Sequence, residues 1–268
     1  MLTVLKNYFL KILFLLPFLA TTALADPGIV WEEIVPDFEI ANFSSSQGGL
    51  FSPSLRFART SLKHLSVSVV RAKEFGQNRA SAKEIVEMSG AYLAINASFF
   101  DPFGNPLGLI LSRGISLNRL HAGGKVLTGI FLFDANKGPR ILPRADFNSS
   151  GVVEAVQAGP RLLTQGEPIE GLKREEKASL RSGLCVDNKN RLILFSSSSP
   201  LGTIYLKDLQ KILQDPLLGC IEALNLDGGG SAQLHIKVTD ATGKVIFEES
   251  HVGRDEVPVF VVLKPRTP

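Results

Sequence analysis

The sequence predicts an α+β fold with one large mixed, mainly antiparallel sheet and a few helices packed on it. Short apolar segments rich in Val, Ile, Leu and Phe recur along the chain, bounded by Gly, Pro, Asn or Asp, as strands commonly are. Residues 187–190 (DNKN) separate two of these segments and are typical of a hairpin turn, which indicates antiparallel pairing. Only two segments have the apolar spacing and end signals of helices.

Nine segments carry the apolar pattern of strands with turn-forming residues at their ends. They are residues 65–70, 92–95, 129–133, 152–158, 182–186, 192–196, 221–226, 234–238 and 257–263. Residues 31–43 are a further candidate, as an N-terminal strand or arm.

The two predicted helices each lead into a strand and then into a polar, Gly-rich loop. A capping box (SAKE) opens the first helix over residues 82–89, and Gly90 ends it. The second helix, over residues 205–214, has its apolar residues on one face and is followed by a proline. The loops after the two strands are residues 96–108 and 227–231.

Residues 1–25 have the organisation of a signal peptide. Two lysines precede an apolar segment, and the small residues at 23–25 (ALA) form a cleavage signal before Asp26. The alternative is an uncleaved membrane anchor, but the apolar segment is shorter than the roughly 20 residues that a span requires. We therefore expect an exported protein, periplasmic or secreted, without integral membrane association after cleavage. Residues 26–268 contain no repeat and no Pro/Ser-rich linker, so we expect one domain.

The composition excludes several classes of protein. Of 268 residues, 44% are hydrophobic and 21% are charged, which excludes a mostly disordered chain. The balance of 29 basic and 26 acidic residues gives no indication of nucleic acid as a partner. Two cysteines and four scattered histidines lack the spacing of a zinc site. We expect no cofactor, and no ligand spacing supports a divalent cation.

The two cysteines, Cys185 and Cys220, each lie in or beside an apolar segment. An exported protein folds in a compartment that permits disulfides, so a bond between them is one alternative. The other is a pair of buried free cysteines that pack as small hydrophobic residues.

The most specific candidate site is residues 225–231 (NLDGGGS). Here an apolar strand leads directly to Asp227, and three glycines follow. Glycines let the backbone approach a ligand closely, and their N–H groups can bind an anion. The alternative is a flexible turn in which Asp227 is a turn-forming residue. A phosphate-binding loop of the Walker type is excluded, because no lysine follows the glycines.

Three further segments combine polar residues with apolar strands. Residues 95–101 (INASFFD) contain Asn96 and Asp101, a second amide and carboxylate pair. Arg161 and Arg181 each lie beside an apolar segment, and a guanidinium matches phosphate or carboxylate. For a single arginine, the alternative is an exposed position at a strand edge.

Four segments resemble the phosphodiester glycosidase family, which includes exported bacterial proteins, some linked to exopolysaccharide. They are INASFFD at 95–101, AVQAGPRLL at 155–163, RSGLCVD at 181–187 and LGCIEALNLDGGGSAQL at 218–234. The resemblance covers about residues 90–264. One difference is NASFF at 96–100, where the family commonly has NGGFF.

The resemblance implies an enzyme that hydrolyses a sugar-1-phosphodiester, for example N-acetylglucosamine-1-phosphodiester groups of a surface or extracellular glycan. A phosphate monoester leaves readily, so strong general-acid help is less needed than in other glycosidases. Arg161 and Arg181 are the candidates that would hold the phosphate. Asp227 is the first candidate, and Asp101 the second, for a carboxylate at the anomeric carbon.

Four further residues are the predicted substrate-binding group. Asn96 would orient a sugar hydroxyl or the phosphate, and Gly228 and Gly229 would direct backbone N–H groups to the ligand. Ser231 belongs to the same loop. Since all candidates lie beside strands in loops with small residues, we expect them to line one cleft at the edge of the main sheet.

Two other classes of function compete with the enzyme. One is a non-catalytic glycan- or cell-wall-binding module of the same fold, and the other is a partner in exopolysaccharide assembly without any site. Binding modules usually display exposed aromatic residues, and this chain has one Trp and three Tyr. The composition therefore favours an enzyme that acts on a carbohydrate or a glycan phosphate.

Overall fold

The computed structural model describes residues 28–45, 52–172, 177–199, 201–251 and 253–266. The predicted signal peptide, residues 1–25, lies outside the described residues. No helix within the described ranges is long and apolar enough to cross a bilayer.

Strands dominate the described part of the chain. The strands are β1 Glu32–Val35, β2 Phe38–Ser44, β3 Ser54–Thr60, β4 Leu65–Arg71, β5 Leu93–Asn96, β6 Ile110–Ser112, β7 Ile115–Asn118, β8 Gly129–Asp134, β9 Gly138–Pro143, β10 Val152–Ala158, β11 Arg161–Thr164, β12 Glu167–Pro168, β13 Ser182–Asp187, β14 Leu192–Ser197, β15 Cys220–Asn225, β16 Leu234–Thr239, β17 Val245–His251 and β18 Val259–Pro265. The α-helices are α1 Ala82–Ser89 and α2 Leu206–Leu213.

The strands form three sheets. Sheet 1 has the order β1-β2-β3-β14-β13-β15-β11-β12, sheet 2 has β7-β6-β10-β8-β9, and sheet 3 has β17-β16-β5-β18-β4. Neighbouring strands in all three sheets run antiparallel. The fold is therefore predominantly β. The mainly antiparallel pairing of the prediction is confirmed, but the one large sheet is replaced by three sheets.

One buried apolar cluster joins the three sheets. Leu194 of sheet 1, Phe131 of sheet 2 and Val261 of sheet 3 all belong to it. Helix α2 packs on the opposite face of sheet 1, and α1 packs on the opposite face of sheet 3. Burial of apolar surface between the layers is the main force that holds the strand ends in place.

The local predictions with clear end signals are confirmed. Ser81 Oγ accepts a hydrogen bond from Glu84 N at 3.2 Å, and Glu84 Oε2 accepts from Ser81 N at 2.8 Å. Gly90 ends α1 in the left-handed conformation, with φ of 66°. In the predicted turn, Asp187 Oδ1 accepts from Lys189 N at 2.9 Å, and β13 and β14 pair as an antiparallel hairpin.

Cys185 and Cys220 form a disulfide between two neighbouring strands of sheet 1. Cys185 lies in β13 and Cys220 opens β15, and their Cα atoms are 5.8 Å apart. Of the two alternatives that the sequence left open, the disulfide is therefore the one present.

Candidate functional site

The ends of β5, β10 and β15, one strand from each sheet, meet at one corner of the molecule. Asn96 closes β5, and its Nδ2 donates to the Asp227 carbonyl oxygen at 2.7 Å. Its Oδ1 accepts from Gln233 N at 3.0 Å. The hydroxyl of Ser182 donates to the same Asp227 carbonyl at 3.1 Å. Asn96 therefore holds the Asp227 backbone in place, with both halves of its amide bonded within the protein.

Asn225, the last residue of β15, connects sheet 1 to the end of β10. Its Nδ2 donates to the carbonyl oxygens of Gly159 at 3.0 Å and Leu226 at 2.6 Å. Its backbone N–H donates to Pro160 O at 3.0 Å, and the Gly159–Pro160 peptide bond is cis. These bonds fix the segment after β10 against the end of β15.

A cavity of about 450 Å³ opens at this corner. Apolar side chains, two cationic side chains, one amide and backbone of several glycines surround it. The lining residues are Phe99, Lys125, Val126, Gly159, Pro160, Gly171, Leu172, Arg181, Leu206, Asn225 and Gly228. A mainly apolar cavity with a few convergent polar groups is the common form of a small-molecule site.

Arg181 is the predicted cation that lies at the cavity. Its Nε donates to Ile204 O at 3.1 Å, and its Nη2 donates to Lys177 O at 3.2 Å. Its backbone N–H donates to Ser197 Oγ at 2.9 Å. Bonds to two segments of the chain, at Ile204 and Lys177, thus orient the guanidinium, and the bond to Ser197 fixes the backbone that carries it.

Lys125 supplies the second positive charge at the cavity. It lies in a loop whose backbone forms hydrogen bonds with the side chain of Gln157, which is fully buried. Gln157 Oε1 accepts from His121 N at 2.8 Å, and its Nε2 donates to His121 O at 2.8 Å and to Leu127 O at 3.0 Å. The exposed Lys125 therefore extends from a fixed loop.

Asp227 is not itself among the described residues that line the cavity, but it lies in the sequence between two that are, Asn225 and Gly228. Burial raises the pKa of its carboxyl to about 6. Hydrogen bonds from the Ser231 hydroxyl and the Gly228 N–H act against this increase in pKa, and the nearby charge of Asp255 adds to it. A carboxyl group with a pKa near neutral pH can exchange a proton during a reaction.

The glycine loop after Asp227 differs in one respect from the prediction. Gly229 has φ of 64°, and its N–H donates to Leu180 O at 2.9 Å. The N–H of Gly228 bonds the Asp227 carboxyl. Both N–H groups are thus engaged within the protein rather than directed at a ligand. Gly230 has a different role, since a Cβ there would overlap the Asp255 carboxylate.

Arg161 is not among the described residues that line the cavity. It opens β11, and its side chain extends over Gly129 of β8, where a Cβ would overlap it. Its Nη1 lies 4.0 Å from Glu222 Oε2. Because β11 directs this side chain between sheets 1 and 2, the structure does not bring the two predicted arginines together.

Asp101 also lies outside the described cavity lining. Its carboxylate accepts hydrogen bonds from Asn105 Nδ2 at 2.9 Å, Asn105 N at 2.8 Å and Phe103 N at 2.9 Å. These bonds, led by that from the Asn105 side chain, lower the pKa of Asp101. Its visible role is to close the turn at residues 101–105.

Of the predicted site residues, the structure gathers Asn96, Arg181, Asp227, Gly228 and Ser231 at the corner. Sequence reasoning missed Asn225, Lys125 and Asp255. Asn225 is part of the NLDGGGS segment, so that segment could have indicated it. Lys125 and Asp255 are single charged residues in distant loops, and no motif around them indicates a site. Among the described residues, no group of three or more His, Cys, Asp or Glu side chains is arranged to hold a metal ion.

The phosphodiester glycosidase family model matches residues 89–263, more than half of the chain. The chain therefore belongs to the phosphodiester glycosidase family, and the family predicted from the sequence is confirmed.

Two solved structures show how widely this fold is shared. The catalytic domain of zebrafish N-acetylglucosamine-1-phosphodiester α-N-acetylglucosaminidase, auto-inhibited by its pro-peptide, is similar with a TM-score of 0.64 and 20% identity, over 87% of this chain and 85% of that one. A hypothetical protein from Synechocystis is similar with a TM-score of 0.59 and 16% identity, over 90% of this chain and 64% of that one. At these identities the likeness shows the fold alone. A comparison with curated proteins finds no match.

Proposed function

We propose that this protein is an exported glycosidase that hydrolyses a sugar-1-phosphodiester and leaves the phosphate on the aglycone. The observation that carries the proposal is the Asp227 carboxyl, with its pKa of about 6, beside a cavity that two cations line. Membership of the family supports the class of reaction, while the site residues support catalysis by this chain.

In this proposal the cavity divides into a sugar part and a phosphate part. Phe99, Leu172 and Leu206 offer apolar surface to the face of a sugar ring. The guanidinium of Arg181 and the ammonium of Lys125 bind the phosphate, and they stabilise the charge that develops on it as it leaves. Lys125 takes the place that the sequence assigned to Arg161, because Arg161 pairs with Glu222 away from the cavity.

Asp227 acts at the anomeric carbon in its ionised form. It removes a proton from the attacking water, or it attacks the carbon first and is then released by water. By either route the bond between the anomeric carbon and the phosphate oxygen breaks, and the electron pair leaves with the phosphate. The hydroxyl of water ends on the sugar, and one proton is released.

The glycan phosphates of a cell surface or extracellular polysaccharide are the substrates we propose, with no cofactor. The leader at residues 1–25 supports this location, with Asp26 as the first residue of the mature chain. Mass spectrometry of the exported protein tests the cleavage, and an intact leader would contradict it.

The test of the activity uses the methyl phosphodiester of N-acetylglucosamine 1-phosphate. We expect the wild-type protein to release N-acetylglucosamine and methyl phosphate, and the Asp227→Asn variant to release neither at a measurable rate. Asp101→Asn is the matched control and retains turnover. Binding of the sugar phosphate without any hydrolysis by the wild-type protein would overturn the enzyme and favour the glycan-binding module.

A further inference from the structure

We infer that Asn225 determines which sugar the cavity accepts, because its side-chain oxygen receives a hydrogen bond from a donor group of the sugar. The inference rests on the proposed function and specifies the substrate of that same cavity. The two ends of the Asn225 amide have different environments.

The orientation of the Asn225 amide is fixed by its neighbours. Amide oxygen and nitrogen are assigned from hydrogen bonding rather than seen directly. Here one end of the amide lies 3.0 Å from Gly159 O and 2.6 Å from Leu226 O. Only the nitrogen fits that end, since an oxygen there would face two carbonyl oxygens. The remaining end is therefore Oδ1.

Asn225 Oδ1 has no hydrogen-bond partner among the described residues. Asn225 is 2% exposed, and it lines the 450 Å³ cavity. A buried acceptor without a partner destabilises the folded protein, so native structures rarely keep one without a reason. A ligand that enters this cavity can supply the missing donor.

Asn96 occupies the equivalent position at the end of β5, and both ends of its side-chain amide have hydrogen-bond partners. Its nitrogen donates to Asp227 O, and its oxygen accepts from Gln233 N. Both asparagines connect strand ends of different sheets through the nitrogen, but of this pair only Asn225, which lines the cavity, has an oxygen without a partner among the described residues.

The charges in the cavity decide which part of the substrate pairs with Asn225. An ionised phosphodiester has only acceptor atoms, which suit Arg181 and Lys125. Asn225 Oδ1 is an acceptor itself, so its partner is a hydroxyl or an amide N–H of the sugar. A site that holds a buried polar group in this way rejects an analogue that lacks the matching group.

The experiment compares the binding of N-acetylglucosamine 1-phosphate with that of its deoxy analogues and of the analogue without the acetamido group. Isothermal titration calorimetry on the full chain gives each dissociation constant. For the wild-type protein we expect one analogue to bind about 10- to 100-fold more weakly than the parent. In Asn225→Ala we expect that analogue and the parent to bind equally.

Asn118→Ala is the matched control. Its Nδ2 also donates to two carbonyl oxygens, those of Pro106 at 2.7 Å and Gly108 at 2.8 Å, but Asn118 does not line this cavity. The Asn118→Ala variant loses the same kind of side-chain hydrogen bonds to backbone carbonyls. We expect this variant to discriminate between the analogues as the wild-type protein does.

The outcomes separate the inference from the proposed function. Equal binding of all analogues by the wild-type protein, or unchanged discrimination in a folded Asn225→Ala, overturns the inference alone. If Asn225→Ala does not fold, the wild-type series still decides it. Discrimination without hydrolysis supports the inference and overturns the enzyme. If no sugar phosphate binds at all, both are overturned.

Discussion

The loops after β5 and β15 each contain glycines and an aspartate, but the two aspartates have opposite environments. Asp101 accepts three hydrogen bonds from its own turn, and its pKa is lowered. Asp227 is half-buried at the cavity, and its pKa is raised to about 6. The pKa of an acid at a strand end is therefore raised where burial outweighs the hydrogen bonds that its carboxylate accepts.

The difference between the two loops arises from how each closes. The first loop turns around the Asp101 carboxylate itself, so that carboxylate is fully engaged. The second loop turns through Gly229, and Gly230 allows Asp255 to approach. The carboxyl of Asp227 therefore combines burial and a nearby acid with its two donors, Ser231 and Gly228, whereas the hydrogen bonds that Asp101 accepts dominate its environment.

The largest expected effect is on activity. Asp227→Asn removes the carboxyl of the pair that is adjacent in sequence to the cavity lining, and we expect about a 10²- to 10⁴-fold loss in kcat on the sugar-1-phosphodiester. Asp101→Asn, at a residue that only closes a turn, is expected to lose less than about tenfold. Steady-state kinetics on the two purified variants measure this. An equal loss in both would remove the distinction between the loops.

The second effect concerns the arginines. In the proposed mechanism, Arg181→Ala removes a charge-assisted contact to the phosphate worth about 1.5–3 kcal/mol, or roughly 10- to 150-fold in rate. We expect this loss with a phosphodiester substrate and a much smaller one with a neutral aryl glycoside, because the guanidinium acts on the charge of the leaving group. Arg161→Ala is the control.

The two substrates separate a role in catalysis from a role in folding. Structural damage reduces the turnover of both substrates alike, and this is the result we expect for Arg161→Ala. Selective loss with Arg161→Ala instead would show that Arg161 holds the phosphate, as the sequence suggested. Arg181→Lys should rescue only part of the loss, since an ammonium lacks the two-pronged donor geometry.

The third effect is on stability. The folded-state pKa of Asp227 lies above its unfolded value, so ionisation destabilises the protein as pH rises from about 4 to about 6. We expect Asp227→Asn to be more stable than the wild type by about 1–3 kcal/mol at pH 8, with the difference disappearing below pH 4. Urea unfolding at both pH values measures it.

Ionisation of Asp101 has the opposite effect on the stability of the folded protein. Its pKa is lowered in the folded protein, so its ionised form stabilises at neutral pH, and this contribution is lost as pH falls through the folded-state pKa. Asp101→Asn should therefore lower the melting temperature at pH 8. If both variants shift stability in the same direction at pH 8, the two carboxylates do not differ as described.

The smallest effect is on the pH profile. In the proposed mechanism Asp227 acts in its ionised form, so kcat/KM should rise with pH through an apparent pKa near 6. Asp255→Asn removes a neighbouring negative charge and should move this rising limb to lower pH. An unmoved limb would show that another group controls it.

The parts of the fold that depend on local chemistry were predictable. The capping box at Ser81 and the turn after Asp187 each carry their own hydrogen-bonding groups, and both are confirmed. The division into three sheets was not predictable, because strand partners are chosen by packing of distant segments. β17 was missed for a related reason: it lies at a sheet edge, and its alternation is that of exposed and partly buried residues.

Some residues of the candidate site were likewise predictable from local sequence, and others depend on tertiary packing. Asp227 and Arg181 were found, because each adjoins a buried strand in a motif of unusual composition. Arg161 has the same local signal, yet its side chain points between two sheets, and only the register of β11 decides that. The free oxygen of Asn225 depends on what surrounds it in space, which no spacing along the chain reveals.

The candidate site can form only after most of the chain has been synthesised, because its contacts join residues that are far apart in the sequence. The bond from Asn96 to Asp227 spans 131 residues, and that between Asn96 and Gln233 spans 137. β5 gains its neighbour β18, the final strand, only once the C-terminal residues have emerged. Such non-local contacts form late and slowly. The proposed activity would therefore require translation of the chain through β18, and a chain truncated before β18 would lack it.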